Sequence, residues 1–277
     1  MEYKIIVDSC CDLPLDLMQQ MNAVKIPLTL RLGTKEYTDD EKLDLSRFMS
    51  EMQACKEKVG SAAPAPTLYQ DAYEQAGSGF VVTLSSQLSA SYANAQLARD
   101  MVDPETAKSI HVFDSKSATA AEISIAMKIR DYIREGCLFD EIVKRTESYI
   151  KSMKTYFVLE RHDNLEKNGR LSKVKGILIR ALNIKLVMGA DASGQIQLYA
   201  KPRGMKCMVQ ALMDLIAQSG KGKAGDRLII TQCNNPLLAR QLQERIEDVF
   251  AFDEVLIFPT GGLSSLYTDQ GGVVMAF

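Results

Sequence analysis

The sequence predicts an α/β fold of two α/β domains, the first (residues 1–150) built on a mostly parallel sheet and the second (residues 151–277) on a mixed sheet. Three observations predict it. Apolar extended stretches alternate with helix-period stretches through the first half, which is the pattern of strand–helix–strand units. Near Ser148–Tyr156 that rhythm changes, and a hairpin signal follows at Asp191-Ala192-Ser193-Gly194. A chain of 277 residues with 46% apolar content also has the length of two ordinary domains and the material for a sizeable core.

Tyr3–Val7 reads as the first strand, followed by the polar loop Asp8-Ser9-Cys10-Cys11-Asp12, with Pro14 opening a helix where its missing N–H costs nothing. Val24–Leu32 is a second extended stretch ending in the turn Gly33-Thr34. Phe80–Leu84 is a third, handing over to the serine-rich run Ser85–Ser91, which opens a helix to about Val102 with Leu88, Tyr92, Ala95 and Met101 on its inward face. Ile110–Phe113 is a fourth, ending in Asp114-Ser115-Lys116-Ser117; a long helix from about Ala118 to Glu135 then closes at Gly136. In the second half Phe157-Val158-Leu159 reads as a strand and Leu165–Ser172 as a polar segment around Asn168-Gly169-Arg170. Lys185–Met188 and Gln195–Tyr199 flank the hairpin turn, and Met205–Ser219 is helical. Arg227–Thr231 is a strand, and Asn235-Pro236 caps a helix to about Phe250. Val255–Phe258 and Val273–Phe277 are late strands around the glycine-rich connection Thr260–Gly272.

Composition excludes several functions. Lys and Arg number 33 against 35 Asp and Glu, a net charge of −2, which lacks the basic excess of a nucleic-acid binder. Met1-Glu2-Tyr3-Lys4 leads straight into a strand without an export signal, and no apolar run approaches the ~18 residues of a membrane span. The six cysteines form no C-x-x-C pair and only two histidines accompany them, so neither a structural zinc site nor another metal site is expected. Scattered thiols without an export signal read as reduced, in a cytoplasmic protein.

In a parallel sheet, ligands sit beyond the carboxyl ends of the strands. Three polar turns fall there: Asp8-Ser9, Ser85–Ser91 and Asp114–Ser117. Four serines within seven residues at a helix start offer hydroxyl donors beside free backbone N–H groups, a seat for a carboxylate or phosphate, although any one of them also serves as a helix cap. Asp8 is either a metal or phosphoryl residue or a loop-capping aspartate. Asp39, Asp40 and Asp44 with Glu41 read as a solvated turn. Arg170, after Asn-Gly, either projects from a loop into a site or pairs with Glu166 on the surface. No G-x-S-x-G elbow, P-loop or dinucleotide fingerprint is present; His111 reads as a half-buried strand residue and His162 as a loop residue.

Taken in order, several motifs resemble those of the DegV family, whose members bind fatty acids and in some cases serve as the lipid-binding subunit of bacterial fatty acid kinase. They are Ile6-Val7-Asp8-Ser9 with Asp12-Leu13-Pro14, Ile26-Pro27-Leu28, Tyr37-Thr38-Asp39, Leu84–Tyr92, Asp114-Ser115, Leu165–Ser172 and Lys201-Pro202-Arg203-Gly204. The resemblance spans essentially the whole chain. It implies one acyl chain held between the two domains, its carboxylate gripped by hydroxyls and backbone amides of the first. Ser89 falls at the family's carboxylate-binding serine, with Ala90 in place of glycine and Ser91 in place of threonine. Ser61 takes the place of a threonine and Arg170 that of an arginine at the ligand mouth. Ala62 and Ala63 replace a serine and a glutamine, and Thr268 stands where many members carry histidine. The resemblance further implies a non-catalytic carrier with a long-chain fatty acid as ligand, no cofactor, and a fatty acid kinase catalytic subunit as partner. The rival readings are a phosphotransferase or hydrolase using Asp8 and the serine turns, and a binding module for another amphipathic anion.

Overall fold

Sheet order follows from which strands are apolar on both faces. The computed structural model describes residues 3–174 and 184–277. Met1 and Glu2, read as the lead into the first strand, lie outside the described residues. Strands in chain order are β1 (Lys4–Asp8), β2 (Ala23–Ile26), β3 (Thr29–Leu32), β4 (Lys35–Thr38), β5 (Val59–Ala62), β6 (Gly79–Thr83), β7 (Ile110–Asp114), β8 (Thr155–Val158), β9 (Val187–Ala190), β10 (Ile196–Ala200), β11 (Arg227–Gln232), β12 (Glu254–Pro259) and β13 (Val273–Ala276). Helices are α1 (Leu15–Gln20), α2 (Leu45–Ala54), α3 (Pro66–Ala76), α4 (Ser91–Met101), α5 (Pro104–Lys108), α6 (Ala120–Arg134), α7 (Phe139–Ser152), α8 (Asp163–Lys167), α9 (Gly204–Ser219), α10 (Pro236–Val249) and α11 (Gly262–Thr268).

The near-continuous apolar runs of β1 and β6 are buried on both faces and form the middle of an all-parallel sheet in the order β2-β1-β6-β7. The second large sheet is mixed, in the order β10-β9-β8-β13-β11-β12, with β11 and β12 parallel and β13 antiparallel to both of its neighbours. Helix α6 lies between the sheets, packed on β1 and β6 from one side and β11 and β13 from the other. Its buried Ala120, Ile123, Ile125, Ala126 and Ile129 join Ile5, Val7, Phe80, Ile229 and Val274 in one core. The outer face of the parallel sheet is covered by Tyr69, Tyr73, Ala95 and Ala98 of α3 and α4, and that of the mixed sheet by α9 and α10.

Four readings are corrected. The stretch Val24–Leu32 is two strands in different sheets: Pro27 has no N–H to continue the ladder, and the Leu28 N–H turns to the Ser9 hydroxyl at 3.0 Å. Its second half, β3, pairs with β4 and β5 in a three-stranded antiparallel sheet that the periodicity did not reveal. The helix after the serine run begins only at Ser91, so Leu88 precedes it and Met101 points outward at 42% exposure. The connection Thr260–Gly272 contains a helix, α11, and the segment Leu165–Ser172 begins in α8, with Leu165 and Leu171 buried.

Candidate ligand site

The carboxyl ends of β1, β6 and β7 meet the inward face of the mixed sheet, and a cavity opens between them. The cavity and its mouth, taken out to open solvent, hold about 830 Å³. The mixed-sheet wall is apolar at its centre: Phe157 and Leu159 alternate along β8 and its continuation, Val274 stands opposite Phe157 in register, and Ile196 comes from β10. Leu28, Leu84, Leu88, Ala118 and Leu263 face them. At one end the hydroxyls of Ser117, Thr119 and Thr155 are satisfied by protein partners, Ser117 donating to Thr155 at 2.8 Å and Thr231 to Thr119 at 3.3 Å. At the other end lie Ser61, Ser89, Arg170, Tyr267 and Thr268.

These residues arrive from four segments. Ser61 sits on β5, its hydroxyl 2.9 Å from that of Tyr267 on α11. Ser89 lies in the turn between β6 and α4, where its Oγ accepts the Ser91 N–H at 3.1 Å and stands 3.0 Å from the Ser91 Oγ. Arg170 does not pair with Glu166. Its Nε donates to the Leu88 carbonyl at 3.2 Å and its Nη1 to the Asn168 carbonyl at 2.6 Å, with the guanidinium 5.7 Å from the Tyr267 ring centre. The arginine thereby ties the turn carrying Ser89 to the α8 segment. Thr268 donates its hydroxyl to the Ser264 carbonyl one turn back, at 2.7 Å.

The structure thus brings Ser61, Ser89, Arg170 and Thr268 to one cavity; Ala90 and Ser91 do not line it. Ala90 is the exposed N-cap residue of α4, and Ser91 is fully buried behind Ser89. Sequence reasoning missed Tyr267, Ser264 and the hydroxyl group around Thr155. Tyr267 stood beside the singled-out Thr268, but without α11 nothing set the direction of its side chain.

The buried carboxylates are structural anchors here. Asp39, expected in a solvated turn, is 5% exposed and accepts the N–H groups of Gly262 and Leu263 at 3.0 and 2.9 Å, capping α11 from across the molecule. Asp12 accepts the Gly261 N–H at 2.7 Å. Burial pushes the Asp12 carboxyl up to about 7 against this hydrogen bond, and raises Asp39 as well. Asp8 ties the first two turns together, accepting the Cys10 N–H at 3.0 Å and the Leu84 N–H at 2.9 Å; burial nonetheless pushes it up to about 6. Asp8, Cys10 and Glu122 offer ligand atoms within 4.8 Å of one another. Burial and the neighbouring carboxyls keep the Cys10 thiol protonated, and Glu122 is held well above the usual carboxylate range, so the group suits a proton better than a cation. Asp8, His111 and His162 are not among the cavity residues. No helix among the described residues is long and apolar enough to cross a membrane.

Comparison with known proteins finds relatives over the whole length of the chain. A family model described as "Uncharacterised protein, DegV family" matches residues 2–277. A DegV domain-containing protein of Streptococcus pneumoniae is 39% identical, covering 100% of this chain and 99% of the relative. The crystal structure of a DegV family protein from Ruminococcus gnavus, refined with vaccenic acid, superposes with a TM-score of 0.94 at 34% identity, covering 100% of both chains. That of the S. pneumoniae Fatty Acid Kinase (Fak) B3 protein loaded with linoleic acid superposes with a TM-score of 0.90 at 38% identity, covering 100% of this chain and 99% of the other. Matched from end to end in sequence and in fold, this chain belongs to the DegV family.

Proposed function

We propose that this chain binds one long-chain fatty acid and presents its carboxylate to a separate fatty acid kinase, without catalysis of its own. The observation that carries the reading is the polarity of the cavity: an apolar channel with Ser61, Ser89 and Arg170 gathered at one end. Transfer of an acyl chain from water is favourable by ~0.8 kcal/mol per methylene, so the channel supplies most of the affinity. The head group needs oriented donors: the Ser89 and Ser61 hydroxyls beside the start of α4 supply them, and Arg170 adds positive charge at the mouth. In this reading residues 1–150 hold the carboxylate and residues 151–277 cover the acyl chain, with Arg170 and Thr268 closing over the head group; Ala90 and Ser91 shape the turn. The ligand takes the place of any cofactor, and the protein works in the cytoplasm. The relatives with bound vaccenic and linoleic acids, and the kinase system to which one of them belongs, support it.

Mass spectrometry of an organic extract of protein purified from a bacterial host tests the reading. The expected result is about one long-chain fatty acid per chain. Extracts free of acyl species, from protein that also fails to take up added oleate or palmitate, would overturn it.

A further inference from the structure

Behind the head-group end of the cavity lies a buried set of ionisable groups that ligand contact alone does not explain. Glu122, in the first turn of α6, is 0% exposed; its carboxyl oxygens receive no hydrogen bond, and the polar groups beside them are Asp8 and Cys10. The Tyr69 hydroxyl is equally buried, makes no hydrogen bond of normal geometry and faces the Ser91 side chain. Asp8 offers an oxygen within 4.8 Å of the Glu122 carboxyl, and the Ser91 side chain is near enough to both Asp8 and Tyr69 to favour their charged forms. Ser91 in turn touches the cavity residue Ser89, with the two hydroxyl oxygens 3.0 Å apart.

We infer that Asp8 and Glu122, with Tyr69 and Ser91, form a proton-holding relay behind Ser89, so that binding a carboxylate at Ser89 takes up one proton at the Asp8–Glu122 pair.

The two acids are built differently. Asp8 accepts two backbone N–H groups and is equipped to be ionised. Glu122 has none, and a bare carboxylate in that position is costly, so it keeps a proton and directs it at Asp8. In the empty protein the ionised Asp8 draws the Ser91 O–H, and Ser89 donates its own proton to Ser91. An incoming carboxylate needs the Ser89 O–H for itself. Ser91 must then turn its proton onto Ser89, because two hydroxyl oxygens at 3.0 Å need one proton between them. Its oxygen now needs a donor, and Asp8 has lost one. Asp8 meets both needs by taking a proton from solvent, with no other bond made or broken; the Tyr69 O–H is the second donor facing Ser91.

The other ionisable groups around the pair are Cys10, Cys11 and Asp12 in the loop after β1, and Lys25 of β2, which pairs in register with Val7. β6 contributes the Leu84 N–H, and β13 apolar side chains such as Val274 and Ala276. The polar groups that α7 and β11 bring to α6 sit later along it, Tyr149 at Ser124 and Arg227 at Asp131. The position of Asp8, pushed up to about 6 by burial, puts the uptake within reach at neutral pH once a second anion arrives.

This inference rests on the carboxylate lying at Ser89, and one experiment separates the two claims. Delipidated protein is titrated calorimetrically with myristate at pH 7.5 in buffers of different ionisation enthalpy, which counts protons taken up per ligand. The wild type is compared with Ser91→Ala, which cuts the relay and subtracts any proton the fatty acid itself carries. The expected result is a larger uptake in the wild type, by up to about one proton per myristate, and an affinity that falls with rising pH by up to tenfold per unit, less steeply in the variant. If Ser91→Ala binds too weakly to titrate, Asp8→Asn, whose amide is a permanent donor to Ser91, serves as the comparison and should show the same loss of uptake. Equal proton counts in wild type and variant, with myristate bound, overturn the relay and leave the fatty acid reading standing. No binding by the wild type overturns both.

Discussion

The two walls of the cavity solve opposite problems. The mixed-sheet wall is built by side-chain alternation alone: Phe157 and Leu159 on one strand line and Val274 on its neighbour present a dry surface that asks nothing of the backbone. The parallel-sheet wall is built from turns, whose backbone groups need partners, and buried carboxylates supply them. Asp8 holds the first two turns, while Asp12 and Asp39 hold the start of α11. The apolar wall is cheap and tolerant of shape; the polar wall is costly and specific. An amphipathic ligand that lies across both is therefore oriented, with its tail direction set by one wall and its head position by the other.

The largest expected effect comes from placing a charge in the dry wall. Phe157→Asp should weaken oleate binding by more than about 100-fold, since the new carboxylate is either desolvated by the acyl chain or holds it out. Displacement of a fluorescent fatty acid reads this directly, with circular dichroism to confirm folding. On the polar wall, Ser89→Ala removes a donor to a charged acceptor and should cost roughly 1.5–3 kcal/mol, a Kd increase of about 10- to 150-fold in the same assay.

The cost of the polar wall is itself measurable. The folded-state value of Asp12, about 7, lies above its unfolded value of 3.8, so folding favours the protonated form. Its contribution is most favourable in acid and is lost as pH rises through about 7. Asp12→Asn, which keeps an acceptor for Gly261, should therefore stabilise the protein by on the order of 2 kcal/mol at pH 8 and by nothing near pH 4. Urea unfolding at the two pH values checks this, and an equal effect at both would mean that the carboxyl carries no buried charge. The smallest effect belongs to Ser61→Ala, which leaves the Tyr267 hydroxyl without its partner and should weaken oleate binding by about 0.5–1.5 kcal/mol.

The contrast between the walls also explains what could be read from the sequence. Elements whose faces are set by local periodicity were legible: β1, β6, β7, the long helix α6 and the hairpin of β9 and β10 fall within a residue or two of their expected positions. The serine-rich turn was legible as a polar loop at a strand's carboxyl end, Arg170 as a loop arginine after Asn-Gly, and the resemblance to a family gave Ser61 and Arg170 their expected places at the head group. What failed depends on partners far along the chain. Asp39 looked solvated because the two N–H groups that donate to it lie some 220 residues away, on a helix whose seven residues GLSSLYT give no amphipathic pattern. β3 looked like a continuation of β2 because a proline between two apolar runs does not say which sheet each joins. Arg170 could not be assigned to the Leu88 and Asn168 carbonyls without the turn that presents them. Glu122 was invisible as a buried acid, since one glutamate in a helix reads as surface.

The central claim is that one ligand spans both walls in a fixed direction. A crystal structure of the protein with oleate tests it most directly. The account predicts the carboxylate within hydrogen-bond distance of Ser89 Oγ, about 2.5–2.7 Å, and the acyl chain running past Phe157 and Val274 toward Thr155. Oleate lying in the reverse direction, with its carboxylate among Ser117, Thr119 and Thr155, or bound outside this cavity, would contradict it.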